Sequence, residues 1–297
     1  ILRIKRRLGH QVVAWDEEAV VHYPPQIYYA RRIGPESINL IDHFVAWGED
    51  NRALLAGHPN FKGRPIHVVG NPRADLLRPE LRSFHTNRVH EISERHRNFI
   101  LINTNFGSVN GHSDRLNLFR HDDNTAGEWV RSRSALGMPD EYAKGLFIHR
   151  RKIFGAFQSL VKRVAQAFPD RAIVVRPHPS ENHEFWRRWC AEYKNITVTA
   201  EGSVVPWLLA ASCVVHNSCT TAVEAYLLGK RVLSFVPFRD ERYEFEFPNK
   251  LGDIAITVEE AIDKLADLGN GVACRDPAKY ELISRYISSL EGELATK

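Results

Sequence analysis

Three adjacent carboxylates, Asp16, Glu17 and Glu18, follow the apolar run of residues 11–15. Carboxylates crowded at the mouth of a cleft repel one another, and a carboxyl group of raised pKa is what a general acid or base requires. A carboxylate can also act as the nucleophile at a sugar anomeric carbon. The alternative is an acidic helix cap, in which side-chain capping and the helix dipole account for the charges.

A second polar segment, residues 70–75, follows another apolar run. Asn71 suits a helix cap and Pro72 a first helical turn, so helix initiation explains much of this segment. Arg73 and Asp75 either point into a cleft or form an ion pair within their domain. Asp75 is therefore a further candidate carboxylate.

The segment Arg176-Pro177-His178-Pro179 ends an apolar run in a stiff turn, because each proline fixes its own φ and restricts the residue before it. A histidine held there can donate to a phosphate or a leaving group, and Arg176 can pair with phosphate oxygens. A structural histidine is the common alternative.

A run of hydroxyls opens the helix predicted after residue 216: Ser218, Thr220 and Thr221, preceded by Asn217. Capping requires one hydroxyl, and three within four residues favour an anion site at the helix N-terminus. Glu224, one turn later, can accept from ribose hydroxyls.

Asn105 and Gly107 lie in a polar segment directly after the apolar run of residues 99–103. Small polar residues with a glycine can present backbone N–H groups to an anion. An ordinary turn has the same composition.

Short apolar runs alternate with helical patterns along the chain. The runs that predict strands are residues 11–15, 43–47, 66–70, 99–103, 172–176, 196–199, 213–216 and 232–236. The helical patterns are residues 26–32, 49–57, 81–95, 150–168, 204–211, 220–228 and 258–268. This alternation predicts an α/β protein with parallel sheets, whose ligands bind beyond the carboxyl ends of the strands.

The strands fall into two series with a basic break near residues 88–97, which predicts two Rossmann-like domains, 1–95 and 96–297, facing each other across a cleft. Residues 106–144 are long for a strand-to-helix connection and are interpreted either as an inserted flap or acceptor loop, or as a solvated insertion. The chain starts at Ile1, so we expect the native N-terminus to be missing and the first domain to be incomplete.

Composition excludes several classes of protein. The 297 residues are 43% hydrophobic and 26% charged, which is typical of globular proteins, and a net charge of +4 is too small to indicate nucleic-acid binding. No apolar run approaches the ~20 residues of a transmembrane helix. The four cysteines form no C-x-x-C pair and no metal-ligand motif is present, so we expect a reduced cytoplasmic protein without a metal site.

The order of these segments along the chain resembles that in GT-B glycosyltransferases of surface-carbohydrate biosynthesis. The chain is most similar to the retaining β-Kdo transferases that use CMP-Kdo. The resemblance is carried by residues 16–18, 70–78, 102–106, 176–179 and 216–224. Bacterial sialyltransferases, which also use CMP-sugars, have a comparable acidic segment, His-Pro motif and Ser/Thr motif. Ala19 departs from the pattern, because the acidic motif usually has glycine there.

The resemblance implies that domain 96–297 binds the nucleotide sugar, with Arg176, His178, Pro179 and residues 217–224 around the CMP phosphate and ribose. Domain 1–95 would then bind the acceptor and supply the nucleophile, from Asp16, Glu17, Glu18 or Asp75. No cofactor or metal is implied beyond the donor. The implied acceptor is a capsule or lipopolysaccharide glycan or glycolipid, reached in the cytoplasm or at the inner face of the membrane.

Other functions share these features. The rivals are a GT-B-like transferase with a CDP-glycerol or UDP-sugar donor, a UDP-sugar 2-epimerase, and a non-catalytic nucleotide- or polysaccharide-binding domain of a larger synthase. Two basic patches, residues 5–7 and 150–152, favour anionic membrane lipid or glycolipid and thus peripheral membrane association. Solvated helix faces explain these patches equally well.

Overall fold

Two separate parallel sheets form the centres of two units of the chain. The structure, a computed structural model, describes residues 1–121, 128–267 and 276–290. The first unit consists of residues 1–81 together with 276–290, and the second of the described residues between 82 and 267.

Helices and strands alternate through most of both units. Up to residue 95 the elements are α1 (Leu2–Arg7), β1 (Val13–Trp15), α2 (Pro25–Arg32), a 3₁₀ helix (Ile38–Leu40), β2 (His43–Ala46), α3 (Glu49–Ala56), β3 (Ile66–Val68), α4 (Pro72–Asp75), a 3₁₀ helix (Pro79–His85) and α5 (Thr86–Arg95). From there to residue 210 they are β4 (Ile100–Asn103), β5 (Phe119–His121), β6 (Trp129–Arg131), a 3₁₀ helix (Arg133–Ala135), α6 (Asp140–Ala167), β7 (Ile173–Arg176), α7 (His183–Cys190), β8 (Ile196–Val198) and α8 (Val204–Ala210). The remaining elements are β9 (Cys213–His216), α9 (Thr221–Leu227), β10 (Arg231–Phe235), α10 (Glu246–Asn249), β11 (Asp253–Ala255), α11 (Val258–Asp267) and α12 (Pro277–Tyr286).

The sheet of the first unit has the strand order β1-β2-β3, with both pairings parallel. Alternate residues of β2 are buried, and Phe44 and Ala46 pack with Ile38, Ile41 and Leu55 into one core. This alternation is what a strand with one buried face requires. The carboxyl ends of the three strands therefore lie along one edge of the sheet.

The sheet of the second unit has the strand order β8-β7-β4-β9-β10-β11, and every pairing is parallel. Counted along the chain this order is 3-2-1-4-5-6, the doubly wound Rossmann order. All residues of β4, β7 and β9 are buried, as the continuous apolar runs predict. The predicted α/β class with parallel sheets is confirmed.

The longest helix, α6, packs its apolar face onto this sheet. Ile153, Phe157, Leu160 and Val161 have no exposed surface, at the spacing that the sequence predicts. The helix begins at Asp140 rather than at the predicted residue 150 and so takes up the last part of the predicted insertion 106–144.

The rest of that insertion contains a pair of short strands. β5 and β6 form an antiparallel pair in which Phe119 lies opposite Arg131. An isolated bridge between Gly111 and Glu181 joins the insertion to the segment after β7. Residues 122–127 of the insertion lie outside the described part of the chain.

The division between the units falls after Leu81, whereas the predicted boundary falls after residue 95. The difference arises because α5 packs against α8 of the second unit. The prediction rested on a basic break in the sequence, and charge on an amphipathic helix does not show which domain its apolar face joins.

The segment after residue 275 belongs with the first unit, although it was predicted in the second domain. α12 packs against α3, and the Ser288 backbone N–H donates to the Trp47 carbonyl at 2.7 Å. A Cβ at Gly48 would lie 2.5 Å from the Arg285 carbonyl oxygen, so a glycine is needed where α12 ends.

Cys190, Cys213 and Cys219 are buried free thiols, and Cys274 lies outside the described residues. Within the described ranges, no helix is both long and apolar enough to span a bilayer.

Candidate functional site

The strand order of the second unit places a topological switch point between β4 and β9, because the chain winds away from these two neighbours in opposite directions. In sheets of this kind, ligands bind beyond the carboxyl ends of the strands at the switch point. The segments that follow β9, β4 and β7 are neighbours there, and they contain most of the predicted binding residues.

A direct hydrogen bond joins the ends of β4 and β9. The Asn103 Nδ2 donates to the Thr221 Oγ at 3.1 Å, and the Thr221 hydroxyl lies 3.1 Å from the Cys219 Sγ as its donor. Asn103 is buried, and its Oδ1 has no hydrogen-bond partner among the described residues. A buried acceptor without a donor is unusual in a folded protein, and this one lies at the switch point.

Ser218 has a φ of 47°, in the left-handed region that residues with a Cβ rarely adopt. The side chain of Asn249 holds it there: the Ser218 N–H donates to Asn249 Oδ1 at 2.7 Å, and Asn249 Nδ2 donates to Ser218 Oγ at 3.1 Å. Both residues are buried. Strained backbone of this kind persists only when neighbouring groups fix it, and it concentrates at functional sites.

The other polar residues of this turn were predicted to form a ligand site at the helix N-terminus, where capping would use only one hydroxyl. Thr220 precedes α9 but makes no capping bond, and its half-buried hydroxyl bonds no other described residue. Asn217 donates through Nδ2 to the Phe235 carbonyl at 3.0 Å, and its buried Oδ1 has no hydrogen-bond partner in the described chain. Glu224 lies half-buried on α9. α9 has only seven residues, so a ligand at this turn would depend on side chains rather than on a long helix dipole.

His178 is exposed at the end of β7, and Ser180 contacts one nitrogen of its ring. Its Nδ1 accepts from the Ser180 backbone N–H at 3.1 Å and lies 2.7 Å from the Ser180 Oγ. In the neutral imidazole this leaves the proton on Nε2. His178 is therefore arranged as a hydrogen-bond donor through Nε2, and the exposed Pro179 follows it.

Glu181 was not singled out from the sequence, yet it connects the segments after β4 and β7. Its Oε1 accepts from Thr104 Oγ at 2.7 Å and from the His178 N–H at 3.0 Å, while its Oε2 accepts from Trp186 Nε1 at 2.9 Å. Only 1% of Glu181 is exposed. In the sequence, only its position three residues after His178 could have identified Glu181 as a site residue.

Gly107 allows the segment after β4 to approach the His178 turn. A Cβ on Gly107 would lie 2.1 Å from the Ser180 Oγ, so a side chain there would have to displace the Ser180 hydroxyl. Its predicted contact with an anion through the backbone N–H stays a prediction, as does that of the neighbouring Asn105, which is half-buried.

Arg176 does not have the environment predicted for it. Its guanidinium donates to the carbonyl oxygens of Glu201, at 3.0 Å, and of Gly202, and it lies 5.5 Å from the centre of the Trp207 ring. Burial lowers its pKa to about 10. These contacts fix the loop after β8 and differ from the predicted contact with phosphate oxygens.

His216, the last residue of β9, is a structural histidine. Its Nε2 lies 2.9 Å from Ser234 Oγ, and its Nδ1 accepts weakly from the Cys219 N–H at 3.5 Å. Complete burial lowers its pKa to about 3, so the ring is neutral near pH 7. Through its contact with the Cys219 N–H, His216 helps to fix the turn that contains Ser218.

The acidic segment lies in the first unit and is organised around Asp16. Asp16 Oδ2 accepts from the Tyr28 hydroxyl at 2.6 Å, Oδ1 accepts from the Glu18 N–H at 3.0 Å, and the Trp47 indole donates to the Asp16 carbonyl at 2.7 Å. Burial and the bond to Asp16 raise the pKa of Tyr28.

The three carboxylates do not form the crowded cluster that was predicted. Glu17 and Glu18 are exposed, and Asp16 alone is half-buried, because its side chain caps its own turn. Asp75, the last residue of α4, is half-buried. At the start of the helix Asn71 is the N-cap, as predicted, and accepts from the Arg73 N–H at 2.7 Å. Asp16 and Tyr28 also line a cavity of about 380 Å³, a size typical of small-molecule sites.

No protein-family model and no curated protein sequence matches the chain. Among solved structures it is similar to the wall teichoic acid polymerase TagF soaked with CDPG, with a TM-score of 0.50 and 12% identity, over 86% of this chain and 54% of that one. The chain thus spans about half the length of that polymerase. It is also similar to the UDP-GlcNAc 2-epimerase from Methanocaldococcus jannaschii, with a TM-score of 0.50 and 12% identity, over 95% of this chain and 72% of that one. Such likenesses show the fold alone, and the predicted GT-B fold, built from two Rossmann-like units, is confirmed.

Proposed function

We propose that this chain is a GT-B glycosyltransferase that binds a nucleotide-activated donor at the ends of β4, β7 and β9. The observation that carries the proposal is the convergence of three polar segments at one switch point, joined by the bond from Asn103 to Thr221 and by the carboxylate of Glu181. Nucleotide phosphates bind at this position in doubly wound sheets.

Each binding group has a proposed role in this site. His178 donates from Nε2 to the donor phosphate and so stabilises the charge that develops on the leaving nucleotide. The open hydroxyl of Thr220 donates to another phosphate oxygen. Asn103 Oδ1, which has no hydrogen-bond partner among the described residues, accepts from a ribose hydroxyl. The Glu224 carboxylate accepts from another ribose hydroxyl.

We further propose that the donor is CMP-Kdo and that the sugar passes to a surface glycan or glycolipid with retention of configuration. Support comes from the resemblance of the sequence segments to retaining β-Kdo transferases. A carboxylate oxygen, from Asp16, Glu17, Glu18 or Asp75, would attack the anomeric carbon while the bond to the CMP phosphate breaks. An acceptor hydroxyl would then displace the carboxylate and pass its proton to another carboxylate of the same set.

A cavity in the second unit favours a second candidate, a donor that carries a neutral polyol such as CDP-glycerol. The cavity has a volume of about 310 Å³, and Asn249, the partner of Ser218, forms part of its lining. The charged residues that line it are mostly acidic: Asp240, Glu241, Glu244 and Glu246, with Arg239 and Lys250. Carboxylates accept hydrogen bonds from a polyol, whereas they would repel the carboxylate of an acidic sugar. TagF, which was soaked with CDPG, has a similar fold.

For the acceptor, the proposal is supported only by the resemblance of the sequence segments. A glycan or glycolipid acceptor and peripheral association with the inner face of the membrane stay predictions. Of the first basic patch, Arg6 is already paired with Asp42 at 2.6 Å, so it contributes less free charge to such a surface than the sequence suggests.

The first experiment measures CMP binding by calorimetry. His178→Ala should weaken binding by roughly 1.5–3 kcal/mol, the value of one charge-assisted hydrogen bond. His90→Ala is the matched control, because His90 is exposed on α5 and contacts no donor-site residue. Unchanged CMP affinity in a folded His178→Ala variant would remove His178 from the site.

The second experiment measures donor turnover with CMP-Kdo, CDP-glycerol and UDP-sugars. Release of CMP from CMP-Kdo supports the Kdo proposal, and turnover of CDP-glycerol alone supports the polyol candidate. Release of a UDP-linked epimer without acceptor would identify a 2-epimerase. Binding of CMP without turnover of any donor would identify a non-catalytic binding domain.

A further inference from the structure

A histidine of the first unit connects the segment after β1 to the start of α3. The Nδ1 of His22 lies 3.0 Å from the Tyr23 carbonyl oxygen, and its Nε2 lies 3.1 Å from the Asp50 Oδ2. Asp50 is in the first turn of α3. The side chains of His22 and Asp50 are 21% and 31% exposed, so both are largely removed from water.

The two contacts of the His22 ring indicate its protonation state. A neutral imidazole has one N–H and one lone pair, so it donates one hydrogen bond and accepts another. A carbonyl oxygen and an ionised carboxylate can only accept. Both ring nitrogens of His22 therefore have to donate at once, which only the imidazolium form can do.

The surroundings of the ring favour this charged form. Burial lowers the pKa of His22, but the hydrogen bonds to Asp50 and to the Tyr23 carbonyl and the charges of Asp50 and Asp16 outweigh it and raise the pKa above its ordinary value of 6.5. The Tyr28 ring packs edge-on against the His22 ring, with the two centroids 5.7 Å apart. Among the described residues, the titratable groups around His22 are thus Asp50 of α3, Asp16 after β1 and Tyr28 of α2.

The contact between His22 and Asp50 fixes one end of the acidic segment. At the other end, Asp16 accepts from the Tyr28 hydroxyl, and the Trp47 indole donates to the Asp16 carbonyl. The exposed carboxylates 17 and 18 lie between these two fixed points. A short segment that is held at both ends has fewer conformations than one that is held at a single end. The arrangement of the candidate nucleophiles therefore depends on His22.

We propose that His22 is a positioning residue for the acidic segment and that it acts in its charged form, so that the arrangement of the carboxylates after β1 is lost as the pH rises. When the ring loses a proton, one nitrogen presents a lone pair to an acceptor oxygen and one of the two hydrogen bonds breaks. The charge that strengthens the bond to Asp50 is lost as well. The effect on sugar transfer rests on the proposed function, whereas the charged contact between His22 and Asp50 does not.

Nuclear magnetic resonance of the protein with labelled histidines tests this contact without any substrate. The signal that His22→Gln removes identifies His22, and in the wild type it should titrate with a midpoint above 6.5. Asp50→Asn keeps an acceptor but removes its charge, and it should lower this midpoint by about one pH unit. The control is His10→Gln, a change at an exposed histidine of the same unit, which should leave the titration of His22 unchanged.

The charged contact is overturned if the wild-type midpoint lies at or below 6.5, or if Asp50→Asn leaves the midpoint where it was. The dependence of stability on pH is a second measurement. Because the pKa of His22 is raised in the folded protein, its contribution to stability is complete below pH 6.5 and is lost as the pH rises through the folded value. The difference in melting temperature between the wild type and His22→Gln should therefore decrease as the pH rises, and a constant difference would also overturn the charged contact.

Sugar transfer measured against pH tests the positioning role. The wild-type kcat should fall as the pH rises through the midpoint of His22, whereas His22→Gln should be about fivefold slower at low pH and lack this decrease. The KM for the donor should not change, because the nucleotide site lies in the other unit. Asp50→Asn replaces His22→Gln in this comparison if the latter folds poorly, and its kcat should begin to fall at a lower pH. A variant profile that follows the wild type overturns the positioning role, whereas a protein in which His22 titrates as expected but no donor is used contradicts the proposed function alone.

Discussion

Ser218 and Asn249 exchange two hydrogen bonds although they are 31 residues apart in the sequence. The amide of Asn249 matches both the backbone N–H and the hydroxyl of Ser218, so a single side chain fixes the strained residue that follows β9. The short helix α10, which was not predicted, is therefore part of the candidate donor site.

Replacing Asn249 with alanine should leave the buried Ser218 N–H without an acceptor. We expect a loss of about 1–3 kcal/mol in the free energy of unfolding, measured by urea denaturation, and weaker CMP binding by calorimetry. Asn249→Asp keeps the acceptor for the N–H and should preserve more of the stability than alanine does. An unchanged urea midpoint in Asn249→Ala would show that the turn does not depend on this residue.

A side chain at Gly107 should disturb His178 through Ser180. The added Cβ of Gly107→Ala would meet the Ser180 Oγ at 2.1 Å, and overpacking of this kind costs about 1–3 kcal/mol. We expect lower stability and lower CMP affinity together. Combining Gly107→Ala with Ser180→Ala removes the clashing oxygen and should recover part of the stability, which a double-mutant cycle measures. Additive losses in the cycle would contradict the contact.

The exposed acidic residues are the best test of the proposed mechanism. Glu17→Gln or Glu18→Gln should abolish transfer, because the amide keeps the shape but removes the attacking oxygen anion, and CMP binding should persist because the nucleotide site lies in the other unit. Intact-mass spectrometry with CMP-Kdo should show a covalent sugar adduct on the wild type that one variant loses.

Near-normal turnover in both variants would leave the acidic segment as a capped turn, and Asp75 would become the next candidate. Asp16→Asn is expected to act differently, since Asp16 accepts from the Tyr28 hydroxyl and the Glu18 N–H, and its loss should first appear as lower stability. An active enzyme that forms no adduct would instead favour an inverting reaction with a carboxylate base.

His216 should make the protein sensitive to acid. Its pKa is about 3 in the folded protein and 6.5 in its ordinary state, so the unfolded chain binds the extra proton between these values. Stability is therefore full above pH 6.5 and falls as the pH decreases, by about 1.4 kcal/mol per pH unit for this group, or about 2 kcal/mol by pH 5. Urea denaturation from pH 7 to 4.5 should show a shallower decline for His216→Gln, and parallel curves would contradict the assignment.

Local sequence patterns predicted the central elements well. β9 has the predicted bounds, and β4 and β7 each begin one residue later than predicted. The missed elements are short or charged: β11 has three residues, and α7 carries three charged residues among its eight. Their positions depend on contacts with the rest of the sheet, as when α7 packs beside β8.

The site was predictable where a single segment contains the chemistry and not where distant segments complete it. The prolines around His178 identify an exposed histidine, but the bond of Glu181 to Thr104 spans 77 residues. Strand-end position favoured Arg176 as the phosphate ligand, and local sequence could not show that carbonyls of a later loop bind its guanidinium.

The return of α12 to the first unit affects the order in which the protein can fold during synthesis. The ribosome delivers residues from the N-terminus onward, so β1, β2 and β3 emerge early, yet the helix that packs against α3 emerges only after the second unit. The second unit is continuous in sequence and lies between the two segments of the first unit. It can therefore complete its sheet before α12 is available to the first unit. Until Ser288 donates to the Trp47 carbonyl, the first unit lacks the segment that packs against Gly48, so its complete packing has to wait for the synthesis of the second unit.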